Sequence, residues 1–133
     1  MKMDRILLIH SDPKAADELT FALQVSGFQV VTADEHQVFA EINRTEPDVI
    51  VIAEALAKMN GDKPCMQIRQ ICEAPIIILG EYKEGIAGIH FLESGADVYM
   101  TQPLNSGLLL AWIRSLLRRS KGVGKNEGYE GDC

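Results

Sequence analysis

Ile6-Leu7-Leu8-Ile9, Val49-Ile50-Val51-Ile52 and Ile76-Ile77-Ile78-Leu79 are continuous apolar runs with no polar residue on either alternating face. A strand that buries both of its faces reads this way, as in a parallel sheet covered by helices on each side. Phe28-Gln29-Val30-Val31-Thr32 and Val98-Tyr99-Met100-Thr101 are weaker candidates for two more strands. Helical patterns fall at roughly residues 13–26, 35–45, 62–73, 84–94 and 105–119.

The punctuation agrees with that division. Ser11-Asp12-Pro13 supplies a helix N-cap followed by proline in the first turn. Gly27 and Gly95 close helices, Pro47 precedes a strand, and Pro103 opens the last helix. Strand and helix alternate throughout, which implies a parallel sheet in a three-layer α/β sandwich.

A chain of 133 residues and 14.7 kDa accommodates one domain of ordinary size. We expect that domain at 3–119. From Ser120 onward the last fourteen residues hold four of the eleven glycines and little to bury, so 120–133 reads as a linker or tail. The formal net charge of −6 and pI near 5.0 argue against direct nucleic-acid binding by these residues.

Cys65, Cys72 and Cys133 show no CxxC or Cys/His metal spacing. Cys65 and Cys72 lie seven apart in a predicted helix, separated by about 10 Å of rise, and cannot bridge each other. Read as thiols, they fit a reducing compartment. No segment reaches the ~18 apolar residues of a membrane span. The apolar run after Arg5 is too short for a signal peptide's core, so a cytoplasmic protein is expected.

Ligands of such a sheet bind beyond the carboxyl ends of the strands. Those ends carry His10-Ser11-Asp12, Ala53-Glu54, Gly80-Glu81 and Thr101-Gln102-Pro103. Further landmarks are Pro47-Asp48-Val49, Met59-Asn60-Gly61, Cys65, Ile68-Arg69, Pro75 to Leu79, Gly95-Ala96-Asp97 and Leu116-Leu117-Arg118-Arg119. In this order and spacing, residues 5 to 119 resemble the receiver domain of bacterial two-component response regulators. The likeness is greatest to those that precede a winged-helix DNA-binding domain. The resemblance implies a doubly wound, flavodoxin-like α/β fold: a five-stranded parallel sheet of order 2-1-3-4-5 with five helices.

Receivers of that family transfer a phosphoryl group to their own aspartate. The chemistry rests on a carboxylate nucleophile, acid-held Mg²⁺ and donors for the phosphoryl oxygens. By the resemblance, the two acids after the first strand fall on His10 and Ser11, and the acceptor aspartate falls on Ala53. The switch threonine or serine falls on Gly80, and the lysine before the cis-proline falls on Gln102. A methyl group cannot attack phosphorus. Mg²⁺ wants octahedral oxygen ligation with carboxylates, and only Asp12 and Glu54 remain nearby. Alternation along the strand turns Glu54 away from wherever residue 53 points. A degenerate pocket without metal or cofactor, and no enzymatic activity, is therefore expected.

Asp12 is explained as well by N-capping as by ligation, and His10 reads as a hydrogen-bonded strand-end histidine. Tyr99 falls on the family's switch aromatic; with glycine at 80, a packed and partly exposed ring is expected. In Leu108 to Leu117 the helix is too apolar for a one-sided surface helix. Leu109, Ile113 and Leu116 share the sheet-facing side, leaving Leu108 and Trp112 on another stripe. The resemblance implies a symmetric homodimer through the fourth helix, fifth strand and fifth helix, with charge pairs across it. Here those positions are Gly88, Asp97, Leu108 and Trp112, and only Asp97 keeps the charge. Either the face dimerises through an apolar centre, or Trp112 folds down over Leu108.

The sequence thus predicts a phosphorylation-independent pseudo-receiver, a regulatory and dimerising module of a longer transcription regulator. DNA would be reached only through a domain absent from this chain, and a heterologous protein partner is also open. The alternative is a small-ligand sensor built on the remodelled pocket.

Overall fold

The three apolar runs become the middle of the sheet. The computed structural model describes residues 3–10, 12–34, 36–53, 63–80, 85–101 and 104–123. Five strands are found there: β1 (Arg5–Ile9), β2 (Gln29–Ala33), β3 (Val49–Ala53), β4 (Ile76–Leu79) and β5 (Val98–Met100). All pair in parallel, in the order β2-β1-β3-β4-β5. The two weaker candidates, β2 and β5, are the edges.

Five helices are described: α1 (Pro13–Val25), α2 (Val38–Thr45), α3 (Lys63–Ile71), α4 (Gly85–Glu93) and α5 (Ser106–Val123). Strand alternation sorts the core into two layers. Leu7, Ile9, Ile50, Ile52, Ile76 and Ile78 pack with α2, α3 and α4 through Ile42, Ile68 and Phe91. Ile6, Leu8, Val49, Val51 and Ile77 pack on the other face with α1 and α5 through Leu23, Leu109 and Ile113. Both faces are dry, which is why these strands could not show a polar–apolar alternation.

Local chemistry sets the boundaries. The Asp12 carboxylate accepts from Lys14 N at 3.1 Å and caps α1, with Pro13 in the first turn. Gly27, at φ 99°, takes the left-handed turn that leads into β2. α2 starts at Val38, later than the expected 35, because side chains hold a turn before it. Asp34 Oδ1 accepts from His36 N at 2.9 Å, and Gln37 Oε1 accepts from Asp34 N at 3.3 Å. α2 ends on Glu46 at φ 50°, a left-handed cap that costs a non-glycine residue about 1 kcal/mol. At the other end of the chain α5 continues to Val123, beyond the expected Arg119; neither Ser120 nor Lys121 breaks a helix.

Polar clamps close the amino ends of the strands. Asp48 Oδ2 accepts from Arg5 N at 2.8 Å, tying β1 to the start of β3, and Arg5 Nη1 donates to Thr45 O at 2.7 Å. Cys65 is a buried thiol outside any disulfide. Cys72 departs from the expected pair of thiols: it is buried and disulfide-bonded. Cysteine usage therefore carries no argument for a reducing compartment. Among the described residues no helix is long and apolar enough to cross a membrane.

Candidate functional site at the strand carboxyl ends

The parallel register gathers the carboxyl ends of β1, β3 and β4 at one edge. Ile9 pairs with Ile52 and Ala53 with Leu79, so the next positions bring His10, Ala53 and Gly80 to the same rim. His10 continues the ladder by donating its N–H to Ala33 O at 3.1 Å. Its Nδ1 is buried without a hydrogen-bond partner among the described residues, so that atom does not make the bond expected of a strand-end histidine. A buried imidazole nitrogen left unpaired costs about 1–3 kcal/mol. Asp12 is exposed, with its carboxylate committed to the helix cap. Ala53 is half-buried at the end of β3. Ser11, Glu54, Glu81, Gln102 and Pro103 lie outside the described residues.

The described part of this donor set does not fit Mg²⁺. Of the described residues at the rim only Asp12 is a carboxylate, and it caps α1; His10 offers nitrogen to a cation that wants oxygen. Among the described residues no group of three or more His, Cys, Asp or Glu could hold a metal ion.

Tyr99 is half-buried on β5 and packs with the α2–α3–α4 layer. Its ring stacks on Phe91 of α4 and lies against both Gly80 and Gly88.

The candidate face around α4, β5 and α5 is only partly as expected. Gly88 is buried behind Tyr99 and contributes no outer surface. Asp97 is partly exposed and bonded within its own domain: its Oδ2 accepts from Arg69 Nη2 at 2.7 Å and from Ile76 N at 2.8 Å. Leu109, Ile113 and Leu116 do face the sheet. Trp112 half-buries itself against that layer, yet Leu108 stays 51% exposed and uncovered. Two residues that sequence reasoning did not single out are exposed as well: Ile89 at 58% and Leu92 at 45%, both on α4. The signal was available, since Gly85–Glu93 is apolar on nearly every side.

Taken together, the sheet order, the rim at its carboxyl edge and the stacked Tyr99 describe a receiver-type signalling domain. A family model for the response regulator receiver domain matches residues 6–114, and the chain belongs to that family. It is 33% identical over 118 residues to the sensory transduction protein RegX3 of Mycolicibacterium smegmatis. It is likewise 33% identical over 118 residues to the DNA-binding response regulator MtrA of the same organism. Each alignment covers 88% of this chain and 52% of the relative, so the chain spans about half the length of these relatives. Among solved structures, a two-component response regulator from Clostridium difficile superposes with a TM-score of 0.81 at 27% identity. That match covers 89% of this chain and 98% of the other. The Francisella response regulator 1452 receiver domain gives 0.81 at 28% identity, covering 89% and 99%.

Proposed function

We propose that this chain is a phosphorylation-independent pseudo-receiver, working in the cytoplasm as the regulatory and dimerising module of a DNA-binding transcription regulator. The observation that carries the reading is Ala53. It ends β3 beside His10 and Gly80, at the position where the family's acceptor aspartate falls, and a methyl group has no electron pair to offer phosphorus. Gly80 supplies no hydroxyl, and among the described residues of the rim the one carboxylate, Asp12, is committed to capping α1. The regulator's output then follows dimerisation, a partner protein or the amount of protein present. Its DNA contacts lie outside these residues, as the net charge of −6 and the half-length match to a DNA-binding relative suggest.

The apolar positions Leu108, Ile89 and Leu92 support a second copy of this chain as the partner on the α4–β5–α5 side. Phosphorylation is tested by incubating the protein with acetyl phosphate and Mg²⁺ and recording the intact mass. An unchanged mass is expected; a stoichiometric phosphate adduct overturns the reading.

One observation favours a second reading, a small-ligand sensor at the same rim. The unpartnered Nδ1 of His10 is a polar atom that a ligand could satisfy. A thermal-shift screen against metabolites tests it. A compound that raises the unfolding midpoint of the wild type and leaves His10→Ala unmoved would establish it.

A further inference from the structure

Tyr99 stands opposite Ile78 in the β4–β5 register, on the sheet face that meets α4. Its ring and that of Phe91 have centroids 6.0 Å apart and planes 15° from parallel. Each edge of the ring then meets a glycine. A β-carbon at Gly80 would overlap Cζ and Oη of Tyr99 and lie 2.8 Å from Cε1. A β-carbon at Gly88 would lie 2.8 Å from Cδ2 and 3.2 Å from Cγ and Cε2. Carbon atoms in good contact sit about 3.5–4.0 Å apart, so neither position accepts a methyl group while the ring stays.

Backbone conformation does not account for either glycine. Among the described residues the glycines at positive φ are Gly27 and Gly95; Gly80 and Gly88 are not among them. Gly88 moreover lies inside α4, where alanine ordinarily makes a better helix. What both positions share is the ring.

We propose that Gly80 and Gly88 form a niche that fixes Tyr99 in one inward position. The ring then acts as a spacer between the end of β4 and α4. This concerns only the placement of one side chain, and it stands whether the domain is a monomer or a dimer, phosphorylated or not.

The test uses the sign of a substitution. Gly88→Ala and Gly80→Ala are each made in the full chain and again in a Tyr99→Ala background, and thermal midpoints are compared. With Tyr99 present, Gly88→Ala should lower the midpoint by at least about 3 °C. Without the ring, the same change should raise it, as helix propensity demands. Gly80→Ala should lower the midpoint with Tyr99 present and leave it nearly unchanged without. In protein labelled at tyrosine, contacts between the Tyr99 and Phe91 rings should be present in the wild type and lost in Gly80→Ala. A Gly88→Ala protein that gains stability with Tyr99 in place overturns the proposal, and so do ring contacts that survive Gly80→Ala. Should Gly80→Ala fail to fold, recovery in the Tyr99→Ala background supports the niche, and equal failure there overturns it.

Discussion

The Asp97 carboxylate and the Arg69 guanidinium meet at 2.7 Å across 28 residues of sequence, and the bond belongs to a hub. Arg69 also donates to Gly95 O at 3.1 Å, Cys72 O at 3.2 Å and Ala74 O at 2.6 Å. One side chain on α3 thereby holds the segment before β4 and the turn before β5. Asp97, which the sequence offers as a charge for a partner subunit, is used to close its own domain.

Asp97→Ala should therefore destabilise the domain by roughly 2 kcal/mol, since it takes one partner from the Arg69 guanidinium and leaves the Ile76 N–H without its acceptor. Both side chains are partly exposed, at 27% for Arg69 and 39% for Asp97, which keeps the figure below that of a buried pair. Asp97→Asn keeps an acceptor and should lose about half as much. Urea unfolding of the three proteins measures this, and an Asp97→Ala variant as stable as wild type would remove the hub from the account.

The Ala53→Asp variant should remain unphosphorylated by acetyl phosphate with Mg²⁺. On the proposed reading, a restored carboxylate would still stand without acids at positions 10 and 11, a hydroxyl at position 80 or a lysine at position 102. Intact mass decides it. A phosphate adduct on this single variant would mean that the pocket is intact apart from position 53.

Sedimentation velocity over a concentration series, under reductant, should show a dimer that Leu108→Arg dissociates. The exposed Leu108 is a cleaner probe than the half-buried Trp112, because changing Trp112 also disturbs packing against the sheet. A wild-type protein that stays monomeric at every concentration sinks the dimer.

Leu108→Ala and Ile113→Ala separate the two sides of α5. Ile113 is fully buried, so its truncation should cost about 2–5 kcal/mol. Leu108→Ala should stay within about 0.5 kcal/mol in the monomer. Equal losses in thermal unfolding would contradict the orientation of the helix.

Removing the cap of α1 with Asp12→Ala should cost about 1 kcal/mol, and Asp12→Asn should restore most of it, since either side chain offers the acceptor for Lys14 N. A loss that Asn does not recover would indicate a role for the carboxylate's charge at the rim.

The fold was legible because its main signal is local. Four consecutive apolar residues at 6–9, 49–52 and 76–79 can only be buried on both faces, and the caps at Asp12, Gly27 and Gly95 need no distant partner. The rim positions His10, Ala53 and Gly80 followed from the same strands, because a parallel sheet brings their ends together. Less was legible wherever a residue's role depends on a partner far away in sequence. Gly88 looked like an empty surface position until the ring of Tyr99 filled the space beside it. Asp97 looked like a charge for another molecule until Arg69 took it.

By itself, then, the amino-acid sequence determined the succession of strands and helices and the double burial of the central strands. Composition and near-neighbour periodicity suffice for those. Tertiary structure alone decided which polar groups are consumed in holding the domain together and which glycines make room for a ring. Such contacts join residues 11 to 43 positions apart, and only the packed chain brings them within a few ångströms.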